Sequence, residues 1–174
     1  MKQSVRGFTI VELLIVIVVI GILAAIVIVA YNGITTQANN TKTISAVTSW
    51  IKALNLYKAK NDGNFPHTNS CLGTTSTYSG NGQCYSSATW VVQPSFLTMM
   101  APYINSQPEP DTSQVDSINN PDWRGAMYYG TSATGDDYVY MMLVGASSCP
   151  AISGARNTGT TNGNEGIRCI YTLN

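Results

Sequence analysis

One carboxylate in this chain sits where a carboxylate is expensive. Glu12 lies in an apolar run that opens at Phe8, and from Leu13 to Tyr31 nineteen residues pass without a charge or a proline. An unpaired acid in hydrocarbon costs roughly 2.5–3.5 kcal/mol on insertion scales, so Glu12 calls for a partner. Few other groups are suited to chemistry. His67 is the only histidine, set beside Pro66 in a loop, and the HExxH, GxSxG, GxxxxGK and GxGxxG patterns do not occur. The many serines have no arranged base and acid in view. The chain reads as a protein without catalysis of its own.

The cysteines stand at 71, 84, 149 and 169, with no CxxC among them. Zinc sites favour closely spaced ligands, often with histidine, so disulfides in an oxidising compartment are the better reading. Four cysteines allow three pairings. Cys71–Cys84 and Cys149–Cys169 are preferred because each closes a short polar loop, and each bridge is worth ~3 kcal/mol. Oxygen ligands for Ca²⁺ could come from Asp136, Asp137, Asn162 and Glu165. The DxDxDG spacing is missing, however, and a solvated turn explains the same residues. No resident cofactor is expected.

The elements that carry these groups follow from composition and period. With 174 residues the chain suits one modest domain plus an accessory segment. Nine basic residues balance nine acidic ones, and only 10% of the chain is charged, so no basic stripe argues for nucleic acid. The nineteen uncharged residues span about 28 Å as a helix, close to a bilayer core. Lys2 and Arg6 precede them and the next positive charge is Lys42, which keeps the N-terminus cytoplasmic and exports the rest. A secretory signal would end in a small-x-small cleavage site, and Leu23 and Ile28 occupy the positions that need small residues. The apolar segment is therefore expected to be retained.

Beyond it, Asn32-Gly33 is a weak point in the helix. Ile44, Val47, Ile51 and Leu54, flanked by Trp50 and Tyr57, then form a stripe at three- and four-residue steps. Lys42, Ser45, Ser49, Lys52 and Asn55 lie opposite, so the stripe should dock on a sheet. Gly63 and Pro66 stop this helix. A short strand is expected at 89–93 and a short helix at 94–100. GAMYYGT (125–131) and DYVYMMLV (137–144) read as a hairpin, and GIRCIYTL (166–173) as a third strand. The segment between Cys149 and Cys169 reads as a polar loop. Trp90, Trp123, Tyr128 and Tyr129 are expected mostly in the core, with exposure for adhesion as the alternative.

The string RGFTIVELLIVIVVIGILAAI resembles the start of the type IV pilin superfamily, which includes pilins, minor pilins and type II secretion pseudopilins. The shared features are a short basic leader, Gly7, Phe8, Thr9, Glu12 and Leu13, then the apolar helix. They cover about 25 residues and are highly specific. Many pilins carry a proline in this helix; here there is none, and Gly21 is the only helix-weakening residue inside the span. The resemblance implies that a prepilin peptidase cuts between Gly7 and Phe8 and methylates the new amine. In a filament of staggered helices Glu12 can then face the Phe8 amine of a neighbouring copy, which removes two uncompensated charges at once. The stretch FLTMMAPYINSQPEPD is weakly similar to the connecting segment of pseudopilins. Major pseudopilins carry calcium near their C-terminus, and a C-terminal disulfide loop commonly edges the filament in this family.

The expected organisation is α+β: a long N-terminal helix, half membrane-spanning and half amphipathic, packed on a small antiparallel sheet. It divides into a leader (1–7), a transmembrane and filament-core helix (8–31), an amphipathic half (32–60), a connecting region with a disulfide loop (61–124), and a sheet with the C-terminal disulfide loop (125–174). The implied function is a structural subunit of a type IV pilus-like filament, held in the membrane before assembly and extracellular after it. The implied partners are further copies of the chain, the prepilin peptidase, and the assembly platform with its ATPase. A pseudopilin or minor pilin is the nearest alternative, and a monomeric membrane-tethered binding domain the alternative of another class.

Overall fold

The computed structural model describes residues 7, 9–78, 83–85, 90–117, 122–130, 136–163 and 165–173. They fall into two compact units, Met1–Gln37 and Ala38–Asn174.

The first unit is helical. Helix α1 begins at Ile10 and runs as one element to Lys60. The expected weak point at Asn32-Gly33 does not interrupt it. A lone glycine costs ~1 kcal/mol, less than the surrounding residues contribute by continuing the helix. Thr35 donates its hydroxyl to the Tyr31 carbonyl at 2.9 Å, one turn back. From Ile10 to Ile34 every side chain whose burial is described is exposed. Apolar on all sides and long enough to cross a bilayer, this stretch satisfies its backbone internally, as a span in lipid must.

The second unit is built around the remainder of α1. Val47, Trp50, Ile51 and Leu54 are completely buried, and Ala46, Ala53 and Thr43 fill the seam between them. Trp50 lies at the centre of the stripe rather than on its flank, and donates its indole N–H to the Pro108 carbonyl at 2.9 Å. The helix ends as its sequence dictates. Asp62 and Gly63 take φ of 53° and 80°, and the Gly63 N–H returns to the Lys58 carbonyl at 3.0 Å.

Helix α2 (Pro94–Met100) starts on a proline, where no N–H is needed, and buries Phe96 and Met100. A five-stranded sheet follows in the order β1-β4-β5-β7-β6, antiparallel throughout. Its strands are β1 (Ser70–Cys71), β4 (Ala126–Tyr129), β5 (Asp137–Val144), β6 (Ala155–Asn162) and β7 (Gly166–Leu173). A separate ribbon pairs β2 (Asp116–Ser117) with β3 (Asp122–Trp123).

Alternation assigns the two sheet faces. Val139, Met141 and Leu143 of β5, with Ile167, Cys169, Tyr171 and Leu173 of β7, pack on α1. Met127, Met142, Trp123 and the Cys71–Cys84 bridge form a second, smaller cluster, against which Tyr140 packs. Asn40 of α1 clamps the end of β5 by accepting from Val144 N at 3.2 Å and donating to Val144 O at 2.8 Å.

Two sequence expectations change. The strand expected at 89–93 reduces to an isolated bridge between Gln83 and Val91, and Thr89 lies outside the described residues. The stretch read as a polar loop after Cys149 contains β6, a full edge strand. Its Gly, Thr and Asn residues need no buried face because β7 supplies its pairing.

Candidate functional site

Helix α1 starts with its own cap. Thr9 accepts the first intrahelical bond, from Leu13 N at 3.3 Å, and its hydroxyl accepts from Glu12 N at 3.2 Å. Glu12 Oε2 in return accepts from Thr9 N at 2.9 Å and from the Thr9 hydroxyl at 2.7 Å. This is a capping box, with Thr9 at N-cap and Glu12 at N3, and its acid also suits the positive end of the helix dipole. The Thr-x-x-Glu spacing ahead of an apolar run was a legible signal for it. Gly7 is exposed, and Phe8 lies outside the described residues. In the single chain, then, the acid is met by Thr9, and Oε1 has no hydrogen-bond partner among the described residues.

The bridges are Cys71–Cys84 and Cys149–Cys169, with Cα separations of 5.6 Å each. They brace opposite faces of the sheet. Cys71 and Cys84 belong to the smaller cluster, whereas Cys169 is buried beneath α1 and ties down the segment that leads into β6.

The residues weighed for calcium do not form one site. Asp137 pairs with Leu173 at one end of the β5–β7 ladder, and Val144 pairs with Gly166 at the other. Seven residues of strand separate these ends, about 23 Å. Glu165 and Asn162 flank the Gly166 end, so they cannot share an ion with Asp136 and Asp137. Asp137 Oδ1 accepts the Tyr128 hydroxyl at 2.9 Å, and Asp136 Oδ2 accepts the Tyr138 hydroxyl at 3.3 Å. Among the described residues no group of three His, Cys, Asp or Glu could hold a metal. His67 is an exposed loop residue.

The aromatic residues divide. Tyr128 and Trp123 are buried, while Trp90 and Tyr129 are half-exposed on the sheet face away from α1. Tyr85, Tyr140 and Arg168 join them there, and sequence reasoning did not single these out. Period-two alternation within 137–144 and 166–173 was the signal that puts Tyr140 and Arg168 on the same side.

An N-terminal capped glutamate, an apolar helix whose described side chains are exposed and a small antiparallel sheet packed on the helix's second half make the architecture type IV pilin-like. Residues 2–28 match the family model described as the prokaryotic N-terminal methylation motif. The chain is also similar to the type II secretion system core protein G of three bacteria. Identity is 40% over 60 residues with Klebsiella michiganensis, covering 34% of this chain and 42% of that protein. It is 39% over 67 residues with Escherichia coli K12, covering 38% and 46%, and 34% over 73 residues with Dickeya chrysanthemi, covering 42% and 47%. The match thus spans less than half the length of each of these curated relatives. No solved structure matches the chain.

Proposed function

We propose that the chain is a structural subunit of a type IV pilus-like surface filament. In this reading a prepilin peptidase cuts between Gly7 and Phe8 and methylates the Phe8 amine. An assembly platform and its ATPase then draw the apolar helix out of the membrane into a bundle of like helices. The chain itself catalyses nothing. The observation that carries the reading is the methylation signal placed directly against a helix whose described apolar side chains are all outward, from Ile10 at 81% exposure to Ile34 at 67%. Such a surface must meet lipid or other copies of itself, because burial of each large aliphatic side chain is worth about 1.5–3 kcal/mol. Loss of Lys2 and Arg6 with the leader leaves seven basic side chains against nine acidic. A balance of −2 permits dense packing without strong self-repulsion.

Intact mass spectrometry of the protein from its native cells tests this directly. The expected mass is that of residues 8–174 plus one methyl group. A mass that retains residues 1–7 would instead make the chain a monomeric membrane-tethered domain. A second reading, a pseudopilin of a secretion system, is favoured by the names of the similar proteins. Abundant chain in sheared surface fibres supports the pilus subunit, and chain confined to the cell envelope supports the pseudopilin.

A further inference from the structure

The sheet face away from α1 carries a closed circuit of six aromatic rings. Trp123 contacts Tyr85 at 4.3 Å between ring centres, Tyr85 contacts Trp90 at 6.4 Å, and Trp90 contacts Tyr129 at 5.7 Å. Tyr129 then meets Tyr138 at 6.4 Å, Tyr138 meets Tyr140 at 6.1 Å, and Tyr140 returns to Trp123 at 6.1 Å. Five of these rings line a groove of about 280 Å³ together with Arg168. The Arg168 guanidinium lies 4.7 Å from the Trp123 ring centre and 5.9 Å from that of Tyr140.

Most polar groups of this groove have no hydrogen-bond partner among the described residues. The hydroxyls of Tyr85, Tyr129 and Tyr140 and the indole N–H groups of Trp90 and Trp123 make no hydrogen bond among the described residues. Arg168 donates from one terminal nitrogen to the Thr161 hydroxyl at 2.9 Å, but its buried Nε has no partner among the described residues. No carboxylate among the described side chains pairs with it. Among the described residues only the Arg168 Nε is both buried and without a partner; the hydroxyls and indole N–H groups of the groove reach solvent. They open on one groove, where a ligand can take the hydrogen bonds that water otherwise makes.

The chemistry selects the occupant. Flat rings accept the C–H face of a pyranose, and the ring of hydroxyl and indole groups around them suits its hydroxyls. A purely aliphatic ligand would strand those polar groups. A nucleic acid would need a row of cations for its phosphates, and the groove has one in a chain of zero net charge. The volume sits at the lower end for ligand sites, room for one or two sugar rings. One guanidinium matches one carboxylate. We propose that this groove binds a uronic-acid unit of an acidic polysaccharide, stacked on Trp90 and Tyr129 with its carboxylate on Arg168. This stands apart from the filament reading and does not depend on it.

The test is isothermal titration calorimetry of the full chain in a polyoxyethylene detergent, which carries no sugar. The probes are tri-galacturonate, the neutral trisaccharide maltotriose, and a short oligothymidylate. Saturable binding of tri-galacturonate, weaker by about tenfold for maltotriose, is the expected result. Trp90→Ala weakens tri-galacturonate binding by about tenfold, and Arg168→Gln abolishes the preference for the charged sugar. Tyr129→Phe, which keeps the ring and removes only its hydroxyl, weakens binding while circular dichroism stays that of the parent. No saturable heat with tri-galacturonate overturns the proposal, as does equal binding by parent and Trp90→Ala. Preference for oligothymidylate would replace it with a nucleic-acid surface.

Discussion

Thr9 and Glu12 hold each other at the start of α1, with Glu12 N donating to the Thr9 hydroxyl at 3.2 Å and Thr9 N donating to Glu12 Oε2 at 2.9 Å. The acid that looks unpartnered in the sequence therefore caps its own helix before any second copy is present. It spends only Oε2 in doing so. A capped carboxylate with one oxygen remaining can stay in place while it accepts a neighbour's amine, so the cap and the proposed contact between subunits need not compete.

That arrangement separates two roles by mutation. Glu12→Ala removes both the cap acceptor and the proposed intersubunit charge, while Thr9→Val removes the cap hydroxyl and keeps the acid. Glu12→Ala is expected to leave processing and membrane insertion intact and to reduce filament yield. Thr9→Val costs about 1 kcal/mol of helix-start stability and lowers yield less. Immunoblots of sheared fibres against the membrane pool measure both. Equal yields from the two variants would show that capping alone matters, and normal fibres from Glu12→Ala would remove the pairing idea.

The two bridges differ in what they restrain. Cys149→Ser with Cys169→Ser is expected to cost ~2–4 kcal/mol in denaturant unfolding and to speed amide exchange in β6. Among the described residues that edge strand pairs with β7 alone. Cys71→Ser with Cys84→Ser should instead loosen β1 and the smaller cluster. Peptide mapping without reductant that links Cys71 to Cys149 or Cys169 would contradict this division.

Two glycines make opposite predictions for the same substitution. At Gly166 a Cβ would collide with the Leu143 carbonyl oxygen and crowd Val144, both backbone atoms of the adjacent strand. Gly166→Ala is expected to destabilise the fold by about 1–3 kcal/mol, read from the denaturation midpoint. At Gly33 nothing lies within 4 Å of the added carbon. Gly33→Ala should stabilise α1 by up to about 1 kcal/mol, visible as slower amide exchange around residue 33.

Alkaline pH should unfold the sheet through its buried phenols. Burial holds the Tyr171 hydroxyl, bonded to the Pro150 carbonyl at 2.7 Å, up to about 12 from an ordinary 10.0. Burial also raises Tyr78, and raises Tyr128 beside the Asp137 carboxylate. A raised pKa means that the folded state favours the protonated form. The associated stability is full below pH 10 and is lost as pH climbs through about 12. Absorbance at the phenolate band should therefore rise for these residues together with loss of circular dichroism. Reversible ionisation of every tyrosine in the folded state would contradict this.

The sequence by itself determined what depends on neighbours along the chain. The apolar span, the stripe through Val47 and Leu54, the stop at Gly63, α2 and the hairpin strands all follow from local period and turn chemistry, and the structure shows each of them. The Thr9–Glu12 cap was legible too, since its partners are three residues apart. Only the tertiary structure decided β6, whose Gly, Thr and Asn residues have no apolar period because one neighbour's backbone, not a buried face, holds them straight. It also decided that Asp137 and Glu165 stand at opposite ends of a ladder, since register is set by pairing across strands. The ring of Tyr85, Trp90, Trp123, Tyr129, Tyr138 and Tyr140 is of the same kind: residues up to 55 positions apart in sequence meet only when the β2–β3 ribbon and the segment held by the Cys71–Cys84 bridge pack beside β4 and β5 of the sheet.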